Sequence, residues 1–256
     1  MKIVFHERYY NSSYAMDPAA APGRLEGIID ILSKNEDYEF IEPNPATKED
    51  ILRAHTERHF SYVQRDPLLL ELASLAAGGA ILAAEEAYSG NPTFAVIRPP
   101  GHHASADSCW GFCYFNNISV SLLKLYSEGK IKSAFVLDFD LHTGDGNINI
   151  LTFRNDDFRV KILNPDSSGR TGYLKEVQTY MEELDNIDIF VASAGFDQGI
   201  EDWGQLLYPE DYIELGELMK TYSMKLCEGR RYALLEGGYN HDVLPLNVKS
   251  FCDGFK

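Results

Sequence analysis

The chain has 256 residues, 45 % of them hydrophobic and 24 % charged, a balance that excludes disorder and lets one sizeable core form. Its 23 basic and 39 acidic side chains leave a net charge of −16. That charge argues against nucleic-acid binding, which needs a basic face, and suits cationic ligands such as amines or Lys-rich tails.

In chain order, short apolar runs predict strands at residues 2–5, 38–41, 94–97, 133–137, 159–163, 188–192 and 231–235. Amphipathic stretches between them predict helices at 24–32, 51–65, 67–88, 116–127, 173–184 and 209–227. Thr47-Lys-Glu-Asp50 resembles a capping box ahead of the second helix, and Pro209 suits the first turn of the last. Strands alternating with helices predict an α/β domain spanning residues 1–256: three layers, with a mostly parallel sheet flanked by helices on both faces. From residue 94 onward the strands read as fully buried runs. Cys109, Cys113, Cys227 and Cys252 are too few and scattered for a disulfide framework and read as reduced thiols. The N-terminus is polar within six residues and no apolar run reaches a membrane span, so the expected location is the cytoplasm, with no membrane partner.

Ligands of parallel α/β folds bind beyond the carboxyl ends of the strands, and the segments found there carry the chemistry. They read Arg98-Pro-Pro-Gly-His102-His103, then Asp138-Phe-Asp140-Leu-His142-Thr-Gly-Asp145, then Ser193-Ala-Gly-Phe-Asp197, then Glu236-Gly-Gly-Tyr239. At period two, Asp138, Asp140 and His142 leave the strand end on one side and converge. Three such groups are costly to desolvate without a cation, and Asp140, His142 and Asp197 form a donor set for zinc with an open fourth position. His102 and His103, fixed by the preceding prolines and glycine at a strand end, point to acid–base work, with Asp138 and Asp145 available to orient their rings. Tyr239, behind two glycines, is placed to donate a hydrogen bond to a developing oxyanion.

Together these segments resemble the histone deacetylase family, including its acetylpolyamine amidohydrolases, in the arginase–deacetylase fold. The likeness also takes in Gly111-Phe-Cys-Tyr-Phe-Asn-Asn117 and the opening Phe5-His-Glu7 and Asp17–Glu26, in the family's order. The resemblance implies one zinc ion on Asp140, His142 and Asp197, and His103 as general base and then acid. It implies His102 as electrostatic partner, Asp138 behind His102, Asp145 behind His103, and Tyr239 polarising the amide carbonyl. Gly111 and Phe112 would line an acyl-lysine channel, with Trp203 and Gly204 reshaping its wall where the family carries proline and leucine. A potassium ion near Asp138, Asp140 and His142 is also implied, although Ile162-Leu-Asn-Pro165 lacks the expected serine. Thr143 replaces a second histidine of the family pattern.

The implied substrate is an acetylated amine, either acetyl-lysine in a protein or an acetylpolyamine. Glu201 and Asp202 are candidate rim charges, read as solvated loop residues. The rival readings are a ureohydrolase with two manganese ions and a non-catalytic acyl-amine binding protein. Nucleophilic chemistry at Cys113 ranks below both, because its surroundings look apolar.

Overall fold

The strands are β1 (Lys2–Val4), β2 (Glu39–Ile41), β3 (Thr93–Ala95), β4 (Ser133–Asp138), β5 (Arg159–Leu163), β6 (Ile189–Ala194) and β7 (Arg231–Leu235). In the computed structural model, which describes residues 1–256, they form one sheet in the order β2-β1-β3-β7-β6-β4-β5, every pair parallel. The predicted α/β architecture is therefore present. The four strands followed by the chemistry-bearing loops, β3, β7, β6 and β4, are consecutive neighbours at the centre of the sheet.

Nine α-helices are α1 (Glu26–Leu32), α2 (Lys48–Leu52), α3 (Glu57–Val63), α4 (Pro67–Tyr88), α5 (Asn117–Ser127), α6 (Asp145–Leu151), α7 (Arg170–Glu182), α8 (Pro209–Cys227) and α9 (Leu244–Phe255). Helix α9 packs on α1 and α8, and α8 on α7, while α5 packs on α4, α2 and α6. A continuous core joins most of these helices to the strands, through residues such as Phe94, Phe135, Phe190, Phe196 and Phe251. Ile51 of α2 and Phe60 and Val63 of α3 pack in a smaller second cluster with Leu69, Leu72 and Phe115.

Four sequence expectations change. The helix expected over 51–65 is two helices, because the Thr56 hydroxyl accepts the His59 N–H at 3.1 Å and caps a new one. Helices α6 and α9 were not anticipated. Strand β5 is the sheet edge and is mostly not buried, unlike the central strands that precede and follow it. Helix α4 has 22 residues and contains an 18-residue window of mean hydropathy 1.7, enough by length and composition for a membrane span, yet 67 % of that window is buried inside the protein. An all-round apolar helix is what a core position requires.

Candidate active site

The donor atoms of Asp140, His142 and Asp197 all lie within 4.8 Å of one another. His142 Nδ1 is 3.3 Å from Asp140 Oδ1 and 3.3 Å from Asp197 Oδ2. Strand alternation does not produce this meeting, since β4 ends at Asp138 and residues 140–142 lie in the following turn. Backbone anchors produce it instead. Asp140 accepts the N–H groups of His142 and Gly237, both at 2.9 Å, and Asp197 Oδ1 accepts that of Leu141 at 2.9 Å. A Cβ on either Gly195 or Gly237 would run into the Asp140 carboxylate. Only glycine lets the β6 and β7 ends approach so closely.

The cluster fits a divalent cation on two observations. Asp197 Oδ2 is buried without a hydrogen-bond partner, which is costly unless a positive charge sits beside it. Burial and the neighbouring Asp140 also push the Asp197 carboxyl up, while the two carboxylates push His142 up to about 10. Two carboxylates and one imidazole match the oxygen and nitrogen donors of a zinc site that keeps an open position. Asp138 is not in this cluster. Its carboxylate instead faces His102 and Asn147, each at 3.2 Å.

Both histidines of the pair are buried, with ring centroids 4.0 Å apart. His102 Nδ1 is 3.2 Å from Asp138 Oδ2, and His103 Nδ1 is 2.7 Å from Asp145 Oδ1. Burial opposes charge on His102, but Asp140, Asp138 and Glu236 outweigh it and hold its pKa well above the ordinary value. Burial and the adjacent His102 push His103 down to about 4, against the pull of Asp145. The two environments separate the pair into one charged and one neutral imidazole at neutral pH. With Nδ1–H directed at Asp145, the lone pair of His103 is on Nε2.

These side chains open onto a pocket of about 290 Å³ that is walled by Trp110, Gly111, Phe112, Trp203 and Tyr239. Trp203 stacks on Tyr239 and meets His142 edge-on, and Phe112 meets Tyr239 edge-on. Phe112 adopts a left-handed backbone with φ 65°, a conformation costly for an aromatic residue and characteristic of ligand-facing positions. Burial pushes the Tyr239 hydroxyl far up, so it stays a hydrogen-bond donor.

Gly204 does not line this pocket. It lies in an adjoining hollow with Thr143, Asn164 and Gln198, its N–H donating to the Asp197 carbonyl at 2.7 Å. Asn164, in the segment lacking the serine, accepts the Gly144 N–H at 2.8 Å. Asp202 is buried rather than solvated, and it accepts the Tyr239 and Asn240 N–H groups at 2.7 and 2.8 Å. Glu201 is exposed. The Cys113 thiol is buried and pushed well above its ordinary pKa, which leaves it protonated and a poor nucleophile.

Several residues of the site went unassigned in the sequence. Arg24 is almost fully buried, donates to the Gly238 carbonyl at 2.8 Å and the Glu236 carbonyl at 2.5 Å, and lies over the Tyr239 ring. The Glu236 carboxylate accepts the Gly101 and His102 N–H groups at 2.6 and 3.3 Å, tying the β7 loop to the β3 loop. Asp202 and Asn147 fix Tyr239 and Asp138 in turn. For Glu236 the signal was its place at a strand end; Arg24 stands in the opening segment that resembles the family, but nothing there shows its role, since its partners lie more than 200 residues away.

A model of the histone deacetylase domain matches residues 19–163. A probable deacetylase of Archaeoglobus fulgidus is 30 % identical, over 93 % of this chain and 81 % of that protein. A histone deacetylase-like amidohydrolase of Pseudomonas aeruginosa is 24 % identical, over 87 % of this chain and 72 % of its own. In fold, the crystal structure of the HDA15 HD domain superposes with a TM-score of 0.83 at 21 % identity, covering 99 % of this chain and 88 % of that one.

Proposed function

Because this chain belongs to the histone deacetylase family, we propose that it hydrolyses the amide of an acylated amine, N-acetyl-lysine or an N-acetylpolyamine, with zinc held by Asp140, His142 and Asp197. One observation carries the reading. His142 of the three-donor cradle, both imidazoles of the His102–His103 pair and the Tyr239 phenol line one pocket, with Asp140 and Asp197 buried beside His142.

When bound, zinc would supply Lewis acidity toward the amide carbonyl and toward water. His103, neutral and oriented by Asp145, accepts the proton of the attacking water at Nε2. It then returns that proton to the departing amine nitrogen as the C–N bond breaks, so the imidazole ends as it began. His102 stays charged against Asp138 and adds positive potential below the reacting carbonyl. Tyr239 donates its O–H to the oxygen on which negative charge develops. Trp203 and Phe112 flank the phenol and present apolar walls to the acyl chain. The released amine is cationic, which suits a chain with a net charge of −16.

The test is a substrate panel on purified protein with measured metal content. Acetyl-lysine peptides are set against acetylputrescine and acetylspermidine, with a hydroxamate chelator as control. Hydrolysis of at least one class, abolished by the hydroxamate and by His103→Ala, is expected. No turnover with zinc fully loaded would favour an acyl-amine binding protein, and two equivalents of metal per chain would favour a ureohydrolase.

A further inference from the structure

The proposed hydrolysis depends on His103 standing still with Nε2 aimed into the pocket, and Trp110 touches the groups that decide this. Its indole Nε1–H donates to Asp145 Oδ2 at 2.9 Å, while Asp145 Oδ1 takes the His103 Nδ1–H at 2.7 Å. Its ring lies over the His103 imidazole, with centroids 3.9 Å apart and planes at 32°. The next residue, Gly111, runs so close that a Cβ there would strike the imidazole. One short stretch of chain therefore bounds His103 with an aromatic face and with bare backbone.

Core packing does not explain this arrangement. Trp110 is 55 % exposed, so its indole is not held there to fill the interior. The Asp145 side chain is itself 41 % exposed, and a carboxylate open to water can turn about its Cβ–Cγ bond and lose its alignment with the ring. An indole N–H on the second oxygen fixes both oxygens at once. Such support of an acid–base group by an outer hydrogen bond commonly decides how well the group is aimed.

We propose that Trp110 is a positioning residue for the reaction, locking the Asp145 carboxylate so that His103 keeps Nε2 directed at the substrate. The proposal rests on the hydrolase reading for its kinetic consequence, but the contact itself is testable without turnover. Trp110→Phe keeps the ring face and removes the N–H. It should lower kcat on the best panel substrate about tenfold with KM within about twofold. Trp110→Ala removes face and bond together and should lower kcat further while raising KM, because a pocket wall is lost. In an Asp145→Asn background, Trp110→Phe should cause little further loss, since both changes act through one carboxylate.

A second measurement reports on the contact alone. The chain holds two tryptophans, so its proton NMR spectrum carries two indole N–H resonances. Asp145→Asn should shift one of them, and it should be the one that Trp110→Phe removes. If that resonance does not move, or if the kcat losses of the two single variants multiply in the double variant, the inference is overturned. If the unmodified protein hydrolyses nothing on the panel but the Trp110 resonance shifts, the hydrolase reading fails while the contact stands.

Discussion

Trp203 lies flat against Tyr239, ring centroids 4.1 Å apart and planes at 27°, so the phenol is held on its face rather than by its hydroxyl. Tyr239→Phe should therefore leave the stack and the loop in place and remove only the O–H. Loss of one oxyanion donor should lower kcat by about 100- to 1,000-fold, with metal content unchanged. Steady-state kinetics beside metal analysis checks this, and an unaltered kcat would remove Tyr239 from the mechanism.

Asp197 carries a buried carboxylate oxygen without a partner, so the metal-free protein stores repulsion that a cation relieves. Asp197→Asn should make the metal-free protein at least as stable to heat as the metal-free wild type. Zinc should raise the melting temperature of the wild type and do so far less for the variant, because only binding to the folded state stabilises. Thermal unfolding with and without a chelator reads both effects. A variant stabilised by zinc as much as the wild type would place the metal elsewhere.

Arg24 ties down two carbonyls of the Glu236–Gly238 turn from the far end of the chain. Arg24→Met should destabilise the fold by about 3 kcal/mol, since charged hydrogen bonds are lost and two carbonyls are left without a donor. It should also lower kcat more than it changes KM, because the turn that carries Tyr239 loses its anchor. Urea unfolding and kinetics on the same preparations measure the two losses. Wild-type stability would show that the turn holds itself.

His55 is buried, and both of its ring nitrogens are engaged, Nδ1 with the Ser105 carbonyl and Nε2 with the Asn116 N–H. Burial first and the neighbouring His59 second push it down to about 3. Above pH 6.5, His55 is neutral in both folded and unfolded chains and adds no pH dependence. As the pH falls from 6.5 toward 3, only the unfolded chain takes the proton, and stability drops by up to about 5 kcal/mol from this group. His55→Gln should flatten the stability curve over that window. Parallel curves for the two proteins would sink the assignment.

The four strand-end segments were legible because buried parallel strands read as unbroken apolar runs, and a ligand site must follow them. The donor set and the histidine pair followed from residue type and spacing at those ends. Convergence of Asp140 and His142 was expected from strand alternation, whereas it arises from backbone N–H groups of Gly237 and Leu141 that no local pattern displays. Thr56 looked like one polar residue inside a longer amphipathic run, and only its bond to the His59 N–H shows that it starts a new helix. Asp202 looked solvated because a charged residue in a loop usually is, and its burial depends on the Tyr239 turn folding over it. Gly204 was placed on the channel wall by register with the family pattern, whereas it lies in the adjoining hollow with Thr143 and Asn164.

Both tryptophans of the chain stand at the mouth of the pocket, each half open to solvent. The molecule's tryptophan fluorescence accordingly originates at the walls of that pocket. An acyl-amine, a chelator or a product that docks there will change the emission directly, so binding can be titrated on the unlabelled protein before any substrate that it turns over is known.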